Sequence, residues 1–270
     1  MCVTCGCGQP GPAGSGEKVE GRHHDHRHDH RHDHPHDHHH GHEHGHEHGS
    51  RLITVQEDIL QKNNLIAERN RGWLEAREVL ALNLVSSPGS GKTTLLERTL
   101  QDLGATLKFF VIEGDQQTDN DARRIEAAGA PVTQINTGQV CHLDAGMVQR
   151  GLHSINPQQG SVLMIENVGN LVCPAMFDLG EACKVVIASV TEGEDKPVKY
   201  PFMFREAGLI VLNKTDLLPY LKFDVALFAE YANRVNPQAR IIRLSAQSGE
   251  GMEDWYGWIR QQRAALSPAG

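Results

Sequence analysis

The chain predicts an α/β fold, a doubly wound and mostly parallel sheet behind a disordered Cys/His-rich N-terminal tail. Three observations carry this. From about residue 80 onward, short apolar runs alternate with segments of helical apolar spacing. A glycine-rich turn, Ser86-Ser87-Pro88-Gly89-Ser90-Gly91-Lys92-Thr93-Thr94, joins the first such run to the first such helix. The opening fifty residues hold fifteen of the seventeen histidines and few apolar side chains, so they cannot bury a core. The expected division is therefore a tail at 1–50 and one globular domain at 51–270.

The tail opens with Cys2, Cys5 and Cys7, spaced by Gly6 and Gly8, which let the backbone fold round a small ion. Three soft thiolates this close suit three sites on one metal, with an amine or backbone group as the fourth. A Pro/Gly-rich linker follows at 9–21. The histidine tract at 23–48 alternates with Asp, Glu, Arg and Gly. Imidazoles with a pKa of ~6.5 are largely neutral at cytosolic pH and open to nickel, copper, zinc or cobalt. Many weak, interchangeable sites suit storage.

A helix is expected over 51–77, with Ile53, Ile59, Leu60, Ile66 and Leu74 packing it on the domain edge. Strands are expected at 80–85, 107–112, 132–135, 162–165, 184–189, 209–212 and 241–244. Helices lie between most of them, at 119–128, 144–155, 225–235 and 252–265. In such a sheet, ligands sit outside the carboxyl ends of the strands.

Strand, glycine turn and helix in that order make the phosphate cradle of a P-loop NTPase. Backbone N–H groups of Gly89, Ser90, Gly91 and Thr94 face the phosphates, Lys92 reaches the β- and γ-phosphates, and the Thr93 hydroxyl ligates magnesium. Ser86 stands where glycine usually opens this pattern. Asn213-Lys214-Thr215-Asp216 ends a later strand. The Asp216 carboxylate pairs with N1–H and the N2 amino group of guanine and would be left unpaired by adenine. Asn213 braces the loops, the Lys214 stem covers the base, and Ser245-Ala246 supplies a second base loop. Together these point to GTP and GDP.

Glu166 ends the strand at 162–165, where a carboxylate holds the magnesium shell, and Gly169 offers its N–H to the γ-phosphate. In Glu113-Gly114-Asp115, Asp115 is the preferred acid for magnesium or the attacking water. No glutamine is placed to activate water, so turnover is expected to be slow, on the order of 10⁻⁴–10⁻² s⁻¹.

Cys141-His142 follows one strand and Cys173-Pro174 follows another. Adjacent side chains rarely complete a metal site, so Cys173 is the expected third ligand; two thiolates and an imidazole suit nickel or zinc. Cys173 hangs on the loop expected to move when γ-phosphate is lost, which would make metal geometry depend on the nucleotide. Cys183 reads as a core thiol and His153 as structural.

Residues 51–270 carry 22 basic and 26 acidic side chains, and no basic, aromatic-interleaved face argues for nucleic acid. No apolar run is long enough to span a bilayer and no signal peptide is evident, so a cytoplasmic protein is expected, with its six cysteines as thiols or ligands.

The motifs Cys-x-x-Cys-Gly-Cys, Ser-Pro-Gly-Ser-Gly-Lys-Thr-Thr, Glu-Gly-Asp-Gln, Cys-His-Leu-Asp, Glu-Asn-Val-Gly-Asn-Leu-Val-Cys-Pro and Asn-Lys-Thr-Asp, with the histidine tract, closely resemble the HypB family. Its members are GTPases that deliver nickel during [NiFe]-hydrogenase maturation. Ser86 and Glu166 belong to that family's own pattern. The resemblance implies a nickel site at Cys2, Cys5 and Cys7, and a nickel or zinc site at Cys141, His142 and Cys173. It also implies a GTP-promoted homodimer that works with the small zinc protein HypA and the [NiFe]-hydrogenase large-subunit precursor. The alternatives are a urease-type nickel GTPase, disfavoured by the Cys-His pair, and a histidine-rich nickel store.

Overall fold

Seven strands lie in one parallel sheet in a computed structural model that describes residues 47–115 and 120–266. Cys2, Cys5, Cys7 and the histidine tract fall outside the described residues. In chain order the strands are β1 (Leu80–Ser86), β2 (Phe109–Asp115), β3 (Val132–Asn136), β4 (Val162–Glu166), β5 (Cys183–Ser189), β6 (Ala207–Asn213) and β7 (Arg240–Arg243). Their order across the sheet is β3-β2-β4-β1-β5-β6-β7. From β1 the chain goes out to β2 and then β3, comes back to β4 between β2 and β1, and then crosses β1 to β5, β6 and β7. The carboxyl end of β1 is thus the switch point, where such sheets open a crevice.

The pleat explains how both faces are covered. Alternate strand residues point to opposite faces. Leu80, Leu82, Leu84, Val111, Met164, Val185, Ile187 and Val211 form one core with α2 (Lys92–Leu103), α3 (Asn120–Ala127) and α9 (Met252–Ala265). Their neighbours Ala81, Ile112, Leu163 and Ile165 meet α1 (Glu47–Glu75) and α4 (Ala145–Ile155) on the other face. On the same face, Val85, Val186, Ile210 and Leu212 meet the short α7 (Pro201–Arg205) and α8 (Val225–Val235). Strands covered on both sides read as continuous apolar runs.

Three expectations need correction. β2 starts two residues later and runs three further than the apolar run suggested. The reason is pairing: Glu113, Gly114 and Asp115 lie in register with Gln134, Ile135 and Asn136 of β3. Two further short helices, α5 (Cys173–Met176) and α6 (Lys196–Lys199), and a 3₁₀ turn over Thr215–Tyr220, have no long apolar period and were not expected. His153 is exposed on α4 and stands outside the Cys141, His142 and Cys173 group.

The largest correction concerns α1. Its inward face is not the expected apolar stripe but Asn63, Ala67, Asn70 and Leu74, while Ile59 is half exposed. Asn70 Nδ2 donates to the carbonyls of Ala145 and Leu179, at 2.9 and 3.0 Å. Asn63 donates to the Asp178 carbonyl and accepts from the Ala145 N–H. Loop backbone ends face this helix, and side-chain amides satisfy them where leucines would leave them bare.

Asn70→Ala should therefore destabilise the domain by about 1–3 kcal/mol, because two buried carbonyls lose their donor. Ile59→Ala, on the exposed face, should stay within about 0.5 kcal/mol. Urea unfolding midpoints of the two variants check this, and equal losses would restore the apolar-stripe reading.

Candidate nucleotide and metal site

A crevice of about 570 Å³ opens at the carboxyl end of β1, lined by residues 86–94, Glu113, Gly114, Asp115, Asp121, Arg124, Asn167, Val168, Gly169 and Lys214. The phosphate loop can make its turn because Gly89 and Gly91 take positive φ, 76° and 91°. Gly91 is needed for a second reason: a Cβ there would lie 2.6 Å from Asn213 Nδ2. α2 begins at Lys92, so its unpaired N–H groups and positive dipole end face the crevice.

Asn213 ties three segments together. Its Nδ2 donates to the Ser90 carbonyl at 3.0 Å, and its Oδ1 accepts from Lys214 N and Ala246 N. Lys214 Nζ donates to the Gly89 carbonyl at 2.5 Å, so the lysine lies across the phosphate loop. Ser245 and Ala246 are buried beside this tie. Asp216, in the 3₁₀ turn, keeps a buried Oδ1 with no hydrogen-bond partner.

Glu166, at the end of β4, is 1 % exposed. Its Oε1 accepts from Lys92 Nζ at 2.8 Å and from Thr93 Oγ1 at 2.6 Å. Asp121 Oδ2 lies 3.2 Å from the same Thr93 hydroxyl. A hydroxyl and two carboxylates converging here are the hard oxygen donors that suit magnesium. Glu166 Oε2 is buried without a partner, so this carboxylate has coordination to spare.

Glu113 and Asp121 belong to this cluster although the sequence pointed only to Asp115, which lies at the crevice wall. Glu113 pairs with Glu166 in register and is buried, with Oε2 unpartnered. Burial first, and then the Glu166 and Asp115 charges, push its carboxyl up to about 8, against the pull of Lys92. The signal for Glu113 was its place two residues before Asp115, on the same strand face. Nothing local marks Asp121.

A second group stands beside the crevice. Ligand atoms of Cys141, His142 and Cys173 all lie within 4.8 Å of one another, and all three residues are buried. The two Sγ atoms are 3.2 Å apart, well beyond the ~2.05 Å of a disulfide. His142 stacks on Phe177 with ring centroids 4.0 Å apart, and its buried Nδ1 has no hydrogen-bond partner. Burial lowers its pKa, opposed by Asp144, so the imidazole favours its neutral, metal-ligating form. Cys183 is set apart on β5, where burial pushes its thiol up to about 11.

Crevice and thiol cluster share backbone. Asn167, directly after Glu166, accepts from Leu143 N at 3.1 Å, and Asn170 Nδ2 donates to the Cys141 carbonyl at 3.4 Å. Leu143 packs on Gly114, where a Cβ would meet its side chain at 2.7 Å. Among the described residues, four buried side-chain atoms lack a partner: those of Glu113, Glu166, Asp216 and His142. All belong to this region, and unsatisfied buried polar atoms elsewhere are rare because they cost stability.

Glu113 yields a pH prediction. A carboxyl that ionises at 4.5 in the unfolded chain but near 8 when folded stabilises the fold most at low pH, and stability falls as pH rises between those values. Thermal melts of metal-free protein should show this decline, and Glu113→Gln should flatten it. An unchanged slope would refute the shift.

The description CobW/HypB/UreG, nucleotide-binding domain, matches residues 80–243. The chain is 60% identical over 216 residues to hydrogenase maturation factor HypB of Azotobacter chroococcum, covering 80% of this chain and 71% of that protein. It is 58% identical over 215 residues to HypB of Escherichia coli, covering 80% and 74%. The crystal structure of HypB from Helicobacter pylori in complex with nickel matches with TM-score 0.72 at 36% identity, covering 77% of this chain and 99% of that one. That of HypB from Archaeoglobus fulgidus matches with TM-score 0.70 at 40% identity, covering 77% and 100%. By sequence and by fold, the chain belongs to the HypB family of hydrogenase maturation factors, within the CobW/HypB/UreG nucleotide-binding domain class.

Proposed function

We propose that the chain is a GTP-hydrolysing nickel metallochaperone for [NiFe]-hydrogenase maturation, in which the nucleotide controls the release of nickel. The observation that carries this reading is the shared backbone at 166–173. Glu166 reaches Lys92 and Thr93, and Cys173, seven residues on, meets Cys141 and His142. The structure of HypB from Helicobacter pylori in complex with nickel supports the choice of cargo.

GTP sits with its phosphates in the loop Gly89–Thr94, its base against Asp216 and Lys214, with Asn213 and Ser245-Ala246 bracing the base side. The unpartnered Asp216 Oδ1 is the acceptor for guanine N1–H. Thr93 and Glu166, with Asp121 beside them, hold magnesium. Held there, magnesium would supply charge neutralisation for the β- and γ-phosphates. Lys92 and the loop N–H groups stabilise charge that develops on the phosphoryl oxygens as water attacks and GDP leaves. Gly169 reads the γ-phosphate, and Asp115 orients the attacking water. Among the described residues no glutamine lines the crevice, which suits slow turnover.

Nickel is cargo, held by Cys2, Cys5 and Cys7 of the tail and by Cys141, His142 and Cys173 in the domain. The inner group also accepts zinc. GTP promotes a homodimer, and nickel passes with HypA toward the hydrogenase large-subunit precursor in the cytoplasm. No described helix is long and apolar enough to cross a membrane.

Nickel and zinc titrations of the purified protein with GDP and with a non-hydrolysable GTP analogue test the coupling. The inner site should change affinity between the two states, and Cys173→Ser should abolish that response; an affinity indifferent to nucleotide removes the release mechanism. Lys92→Ala and Asp216→Ala should each lower GTP turnover at least a hundredfold. Both should leave nickel binding by the tail thiols intact, and its loss would show that the two functions are not separable.

A further inference from the structure

Arg124 occupies a place in the crevice that the reading above leaves without a task. Three cations line it among the described residues: Lys92, Lys214 and Arg124. Lys92 is paired with Glu166, and Lys214 lies across the loop on the Gly89 carbonyl. Arg124 projects from α3 beside the first turns of α2. Its guanidinium is held by two carboxylates: Nε and Nη2 donate to Glu97 at 2.9 and 2.6 Å, and Nη1 donates to Asp121 at 3.1 Å.

Both partners are poised to yield. The Glu97 pair is bidentate, but the arginine side chain is 46 % exposed, so water and an incoming anion can compete for the guanidinium. Asp121 is shared, its other oxygen lying 3.2 Å from the Thr93 hydroxyl. Thr93, Glu166 and Asp121 would hold a divalent cation, and Asp121 so engaged would bind Nη1 less strongly. Triphosphate entering the crevice then offers the guanidinium a more highly charged partner, with the planar donor geometry that suits phosphate oxygens.

We propose that Arg124 is a catalytic arginine supplied in cis, which leaves Glu97 and Asp121 to contact the γ-phosphoryl group during GTP hydrolysis. The inference rests on the GTPase reading. As water oxygen bonds to the γ-phosphorus, the bond to the β–γ bridging oxygen breaks and its electron pair passes to the GDP β-phosphate. The proton of the attacking water leaves on inorganic phosphate or to solvent. Arg124 donates hydrogen bonds to the oxygens that gain charge on this path and is itself unchanged. GDP lacks the group it contacts, so the contribution belongs to turnover and not to GDP binding.

Single-turnover GTP hydrolysis by the full chain with magnesium is the test, beside GDP affinity and binding of the GDP–aluminium fluoride complex that mimics the transferring phosphoryl group. Arg124→Ala should lower hydrolysis tenfold or more and weaken the aluminium fluoride complex equally, with GDP affinity within about threefold. Glu97→Gln, which frees the guanidinium on one side, should keep hydrolysis at or above the parent rate. Hydrolysis within twofold of the parent in Arg124→Ala would overturn the inference. So would a loss in Glu97→Gln as large as that in Arg124→Ala, or a parallel loss of GDP affinity, since a mere tie between α2 and α3 would behave that way. A parent chain that hydrolyses no GTP would overturn the GTPase reading and this inference together.

Discussion

A buried carboxylate at the end of β4 sets the terms for everything around it. Glu166 is almost wholly removed from water, and a bare charge there would be prohibitively costly. The first turn of α2 answers it with the Lys92 ammonium and the Thr93 hydroxyl. That answer fixes how the phosphate loop meets β4, because both donors follow directly from Gly91. Burial, and then the charges of Glu166 and Asp115, push the neighbouring Glu113 carboxyl up to about 8, a rise that the pull of Lys92 only partly offsets. The acids Glu113, Asp115, Asp121 and Glu166 are thus gathered at one crevice, an arrangement suited to a nucleotide that arrives with a divalent ion.

The residues after Glu166 carry the same constraint outward. Asn167 is buried and fully engaged: Oδ1 accepts from Leu143 N and Val168 N, and Nδ2 donates to Asn83 Oδ1 at 3.2 Å. Asn83 in turn donates to Glu181, which accepts from Leu179 N and faces Lys184. The polar line continues through Asn70, which bonds both Leu179 and Ala145, to α1. One chain of satisfied buried groups therefore joins the residue after Glu166, the loop that follows Cys141-His142, and α1. Such networks hold their members in one arrangement, since breaking any bond leaves a buried polar group bare. Within the proposed function, this gives the crevice and the thiol cluster a physical connection that simple proximity would not supply.

Much was legible in the residues because it rests on local chemistry. The strand–helix alternation, the phosphate loop with its positive-φ glycines and the apolar strands follow from periodicity and backbone freedom, which need no knowledge of distant contacts. The α8 and α9 boundaries coincided with the structure for the same reason. Local signals failed where polar side chains replaced apolar ones. α1 hides asparagines because its neighbours are backbone ends, and no window along α1 alone reveals what it faces.

The sequence by itself determined the α/β fold, the phosphate cradle and the residue types able to bind a soft metal, since each depends on spacing within one short segment. Only the tertiary structure decided which acids meet Thr93, how closely Cys141, His142 and Cys173 converge, and that Arg124 reaches both Glu97 and Asp121 at the crevice. Those juxtapositions join segments far apart in the chain through sheet order and register, and no local pattern encodes where two strands lie side by side.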